Sequence, residues 1–106
     1  MSATYLHVGI PVTNKKPGMV YVDALKLWMS KPDDVDYKIE YLKFEEGTPF
    51  PEIMHKNPHI AYKVDDMDAR LSEADRVIFG PVTMDDGGRM AFIIKDDTIF
   101  ELLESK

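Results

Sequence analysis

No cysteine occurs among the 106 residues, so disulfides, thiolate nucleophiles, iron–sulfur clusters and sulfur-ligated zinc are all excluded. Any chemistry falls to histidine, carboxylate, hydroxyl and backbone groups. Basic side chains are in deficit as well, 13 against 19 acidic ones for a formal charge of −6, and that balance repels nucleic-acid phosphates and anionic lipid headgroups. No nucleic-acid or membrane partner is expected. Apolar runs of membrane-spanning length are missing, and Met1-Ser2-Ala3-Thr4 lacks the basic-then-apolar pattern of a signal peptide. A cytoplasmic protein follows as the expectation. The length suits one domain over residues 1–106, large enough to bury a core without cross-links or a structural metal. A bound metal would then serve chemistry.

What the chain does contain is a pattern that occurs twice. His7-Val8-Gly9-Ile10 corresponds to His59-Ile60-Ala61-Tyr62, and Ile39-Glu40-Tyr41-Leu42 corresponds to Phe100-Glu101-Leu102-Leu103. Each histidine is followed by a β-branched residue, a small residue and another apolar one. Each glutamate sits between bulky apolar neighbours, where an ionised carboxylate is costly if the strand is buried on both faces. Two imidazoles and two carboxylates form a ligand set for a divalent metal, and packing the copies together would let His7, Glu40, His59 and Glu101 meet. The repeat halves run over about 1–48 and 57–106. From His7 to Glu40 is 33 positions and from His59 to Glu101 is 42, so the second copy is longer by roughly two and a half helical turns. The first half is expected to lack a helix that the second has.

Local patterning is consistent with that division. Residues Tyr5 to Val12 alternate as a strand, with Leu6, Val8, Ile10 and Val12 on one face and His7 off it. A break at Asn14-Lys15-Lys16-Pro17-Gly18 precedes a brief strand over Met19 to Val22. Leu25 to Ser30 and Val35 to Phe44 are expected to form a hairpin about Lys31-Pro32-Asp33-Asp34. Pro49, Pro51 and Pro58 with Gly47 make the junction between halves irregular. His59 to Val64 is a strand, and the segment from Asp65 to Ala74 is a short helix with an aspartate as N-cap and Met67 and Leu71 inward. Three antiparallel strands follow, over Arg76 to Thr83, Arg89 to Lys95 and Thr98 to Glu104.

These segments resemble the vicinal oxygen chelate superfamily, which includes glyoxalase I, methylmalonyl-CoA epimerase, extradiol dioxygenases and the fosfomycin- and bleomycin-resistance proteins. The likeness rests on Leu6-His7-Val8-Gly9-Ile10, Lys38-Ile39-Glu40-Tyr41-Leu42, the run from Pro58 to Asp66, and Ile99-Phe100-Glu101-Leu102-Leu103-Glu104. It implies an α+β fold of paired βαβββ modules forming a curled, mainly antiparallel sheet, the first module without its helix. It further implies that His7, Glu40, His59 and Glu101 are the metal ligands, one from the first and fourth strands of each module. Zinc, nickel, cobalt, manganese and ferrous iron all accept such donors. A homodimer is implied as well.

The function this resemblance implies is a metal-dependent lyase or isomerase of the glyoxalase-like type, acting on a small oxygenated substrate. The ion would polarise a carbonyl, and Glu40 or Glu101 would leave it to act as catalytic base. Two alternatives stand beside this reading. One is a metal-free, bleomycin-resistance-like protein that sequesters a cationic antibiotic, which the acidic charge favours. The other is a ferrous dioxygenase on His7, His59 and Glu101, against which Glu40 counts as a fourth ligand. Outside the quartet, Lys63 and Arg89 are candidates to neutralise an anionic substrate, although surface charge is the commoner role. Trp28, Met90 and Phe92 are candidates for pocket or core. His55, in a proline-rich loop, is set aside, and Asp85-Asp86-Gly87-Gly88 fits a hairpin turn better than a calcium loop.

Overall fold

Polar and proline-containing breaks cut the chain into short strands, most of them too brief to be stable unless paired. The computed structural model describes residues 2–106. In order they form β1 (Ala3–Pro11), β2 (Val20–Val22), β3 (Leu27–Met29), β4 (Ile39–Phe44), α1 (Glu52–Lys56), β5 (His59–Val64), α2 (Met67–Glu73), β6 (Arg76–Thr83), β7 (Arg89–Lys95) and β8 (Thr98–Glu104). The fold is α+β with βαβββ-like modules and mainly antiparallel pairing, as the sequence predicts. No described helix is long and apolar enough to cross a membrane. Two compact units divide within β1: His7–Pro58 form one, and His59–Lys106 with the chain up to Leu6 form the other.

In the unit His7–Pro58 the strands lie in the order β2-β3-β4-β1. The pair β1 and β4 is parallel, with Gly9 opposite Glu40, while β3 is antiparallel to both β2 and β4. No α-helix joins β1 to β2 among the described residues, so the nine-residue difference between repeats is this missing helix. Leu27, Leu42, Phe50 and Met54 are the buried apolar side chains here. Two expectations need correction. The strand predicted over Val35 to Phe44 begins only at Ile39, because Pro32–Asp34 wind into a 3-10 turn and Lys38 takes a left-handed φ of 54° that ends extended backbone before it. The junction predicted to be irregular contains α1, whose Met54 is buried. The strand expected from Tyr5 to Val12 is present as β1, where Leu6, Val8 and Ile10 are half-buried and Gly9 is buried.

In the unit containing His59–Lys106 the order is β5-β8-β7-β6. Strands β5 and β8 are parallel, with Ala61 opposite Glu101, and the remaining pairs are antiparallel. The β7–β8 turn holds Asp96 and Asp97 at φ 52° and 63°, a left-handed pair that a two-residue hairpin requires and short carboxylate side chains tolerate. Helix α2 begins at the N-cap Asp66, whose carboxylate accepts from the Ala69 N–H at 3.1 Å. The helix buries Met67 against Val64, Ala91, Ile93 and Leu102, with Leu71 partly buried beside them. The β6–β7 ladder is interrupted twice, between Val77 and Phe79 and between Phe79 and Val82.

Candidate metal centre

Alternation along β5 and β8 decides which side chains share a face. His59 and Ala61 lie on the face of β5 opposite to Tyr62 and Val64, and the register puts Ile99 and Glu101 of β8 on the histidine side. The helix α2 covers the other face. His59 and Glu101 are thereby turned away from the helix, and their Nε2 and Oε1 atoms lie 3.2 Å apart. Phe92, opposite Glu101 in β7, stands edge-on to the His59 ring at 5.1 Å and fixes its plane.

The other unit repeats this arrangement. His7 Nε2 and Glu40 Oε1 lie 3.4 Å apart, and the strand offset is the same: each histidine stands two residues before the residue that faces its glutamate across a parallel pair. That facing residue is Gly9 in one unit and Ala61 in the other. Both are buried, and neither carries a side chain long enough to fill the space beside the carboxylate. The small residue after each histidine in the sequence therefore has a structural reason that the spacing alone does not disclose.

The four side chains are between 2 and 11 % exposed. One donor atom from each of His7, Glu40, His59 and Glu101 falls within 4.8 Å of the others, a His/Glu cluster capable of chelating a divalent ion. The donor chemistry fits such an ion. Two atoms bound at ~2.1 Å to one metal are about 3.0 Å apart at a right angle and about 3.4 Å apart at the tetrahedral angle, which brackets the two His–Glu separations. Buried carboxylates and imidazoles are also expensive unless they pair or coordinate.

The remaining sequence candidates are placed elsewhere or otherwise engaged. Arg89 donates through Nε to Glu104 Oε1 at 3.0 Å and through Nη2 to Asp68 at 3.3 Å. The first of these contacts raises its pKa. Glu104 is held below the ordinary glutamate range, first by the Met67 backbone N–H at 2.7 Å and then by Arg89. Arg89 thus ties the start of α2 to β8. Lys63 is exposed. Trp28 packs on Tyr21 at 5.0 Å, with Lys15 Nζ 3.9 Å above its ring, and Met90 is half-buried. His55 stacks on Phe44 at 4.4 Å, its Nε2 3.0 Å from the Phe50 carbonyl oxygen. Its position is explained by packing.

Comparison with known proteins yields no matching family model and no matching curated protein. Among the solved structures that share the fold are two that cover nearly the whole chain. A hypothetical protein from Bacillus halodurans C-125 superposes with a TM-score of 0.65 at 23 % identity, over 100 % of this chain and 96 % of its own. The methylmalonyl-CoA epimerase of Mycobacterium tuberculosis does so with a TM-score of 0.52 at 20 % identity, over 97 % of this chain and 88 % of its own. At these identities the likeness is one of architecture: the chain has a vicinal-oxygen-chelate-like fold with a candidate metal centre.

Proposed function

We propose that this protein is a metal-dependent lyase or isomerase that moves a proton on a small substrate bearing adjacent oxygen atoms. The observation that carries the reading is the duplicated His–Glu pair, the same strand offset and the same small facing residue occurring in both units. His7, Glu40, His59 and Glu101 would hold the ion. When bound, the ion supplies Lewis-acid polarisation of a carbonyl oxygen.

The chain's own residues supply the rest. A carboxylate of Glu40 or Glu101 takes the proton from the carbon next to the carbonyl and returns it to a neighbouring position. Gly9 and Ala61 leave each carboxylate room to turn, which a bulkier facing residue would deny. Burial keeps bulk water from quenching the carbanion-like species before the proton returns. The form we propose is a cytoplasmic homodimer: without a helix between β1 and β2, Val20 and Tyr21 of β2 are exposed at 54 and 37 %, apolar area that a second subunit would cover.

Elemental analysis of untagged protein tests the metal, and solvent-deuterium exchange into α-oxo and α-hydroxy carbonyl compounds, followed by proton NMR, tests the reaction. One divalent ion per chain, lost in both His59→Ala and Glu101→Ala, together with exchange that follows the metal, is the expected result. Metal content unaltered by both substitutions, or tight binding of a cationic antibiotic by metal-free protein without any exchange, would overturn the proposal.

A further inference from the structure

The sheet face that carries His59 and Glu101 continues as hydrocarbon toward β6. Strand register sets Phe92 of β7 beside Glu101 and Phe79 of β6 beside Phe92, while the neighbouring row runs from Leu103 through Met90 to Val82. Phe79 stands edge-on to Phe92 at 6.0 Å. Helix α2 covers the opposite face of these strands. On the donor face Phe92 is buried, but Phe79, Met90 and Leu103 are only half-buried and Val82 is 38 % exposed. In the unit His7–Pro58 the corresponding face is occupied by the chain itself: Phe44, which shares the Glu40 face of β4, has Phe50 packed on it at 5.9 Å and His55 at 4.4 Å.

Charge on the donor face is confined to its margins. Lys63 lies on β5, on the side of Glu101 away from β7, and Arg76 lies at the start of β6; both are exposed. A phosphate or carboxylate carried across β7 and β6 would lose water over Phe92, Phe79, Met90 and Val82 without gaining a donor from them. The formal charge of −6 opposes it further. Hydrocarbon laid over the same side chains removes their remaining apolar surface from water.

We infer that the substrate carries, beyond its adjacent oxygen atoms, an uncharged apolar substituent that lies over Phe79, Met90 and Val82. From β8 to β6 is two strand spacings, roughly 10 Å, which suits a substituent of about six to eight carbons. This rests on the proposed function and adds the class of substrate. Hydroxamates test it, because they present the same pair of adjacent oxygens to a metal on any chosen tail. Calorimetric titration of zinc-loaded protein with acetohydroxamate, octanohydroxamate, succinohydroxamate and aminohexanohydroxamate compares a methyl, an apolar, an anionic and a cationic tail. Octanohydroxamate should bind at least tenfold tighter than the other three and shift the methyl signals of Val82 and Met90. Val82→Asp, at an exposed position, and Phe79→Ala should each lose most of that advantage while binding acetohydroxamate as the parent does. Equal affinity for all tails, preference for a charged one, or an advantage untouched by both substitutions would overturn the inference and leave the metal chemistry standing. So would a concentration-dependent dimer that buries Phe79 and Val82. Failure to take up zinc, or to bind any hydroxamate once loaded, would overturn the proposed function and this inference with it.

Discussion

Replacing Met67 by alanine probes the physical link between α2 and the strands that position His59 and Glu101. The Met67 side chain is 0 % exposed and packs with Val64, Ala91, Ile93 and Leu102. The substitution removes three heavy atoms, about 2 kcal/mol of transfer free energy at ~0.8 kcal/mol per methylene-sized group. A residual cavity adds to this, because α2 is held at its start by Asp66 and Glu104 and cannot freely sink. The total is about 3 kcal/mol, within the 2–5 kcal/mol that such truncations show, and for a chain of this size it lowers Tm by roughly 10–20 °C. Urea unfolding followed by circular dichroism at 222 nm measures it, with the m-value expected to stay unchanged. Divalent-metal uptake should survive under native conditions, since Met67 packs on the face opposite to His59 and Glu101. A loss below about 1 kcal/mol would refute the claim that α2 is locked onto this core by one side chain, and abolished metal uptake in a folded variant would refute the separation of the two faces.

Three smaller perturbations test neighbouring parts of the reasoning. Asp66→Ala removes the acceptor for the Ala69 N–H and should cost about 1 kcal/mol in the same urea assay; no change would mean water caps the helix as well. Glu104, whose folded pKa is lowered, contributes stability that is present above the ordinary glutamate pKa and lost as pH falls through the depressed folded value. Glu104→Gln should therefore be less stable than the parent near neutral pH and converge with it in acid, while a difference constant with pH would contradict the role of its charge. Gly80→Ala places a Cβ 2.6 Å from the Met90 carbonyl oxygen at a φ of 77°. It should destabilise by more than about 1 kcal/mol, with hydrogen-exchange protection lost first in β6; protection lost first in β8 would argue against a local clash.

The second repeat was legible in the sequence almost residue for residue, because its strands are bounded by strong turn chemistry and its helix carries a carboxylate cap at Asp66. The first was less so. Its strands are three to six residues long apart from β1, and the alternation along β1 marks a strand without grading its burial, since Leu6 to Pro11, Gly9 excepted, are all half-buried. Helix α1 is not legible from sequence because five residues between prolines show no period of 3.6, and only the burial of Met54 reveals its purpose. At the candidate metal centre, residue types and their repetition pointed to the four donors, but the function of Gly9 and Ala61 as spacers beside the carboxylates needed the register. For Phe92 the sequence allows either pocket or core. It is the buried ring that steadies His59.

The two interruptions in the β6–β7 ladder bear on how this protein survives crowding. Strand β6 ends the order β5-β8-β7-β6, and Val77 and Val82 on it are 45 and 38 % exposed, a combination that ordinarily invites a foreign chain to add itself and seed fibrils. Each irregularity breaks the even spacing of amide and carbonyl groups that such an intruder must match. Pro81 withholds a further donor. Such a border is a poor template for cross-β growth, which lets Val77 and Val82 stay exposed at it.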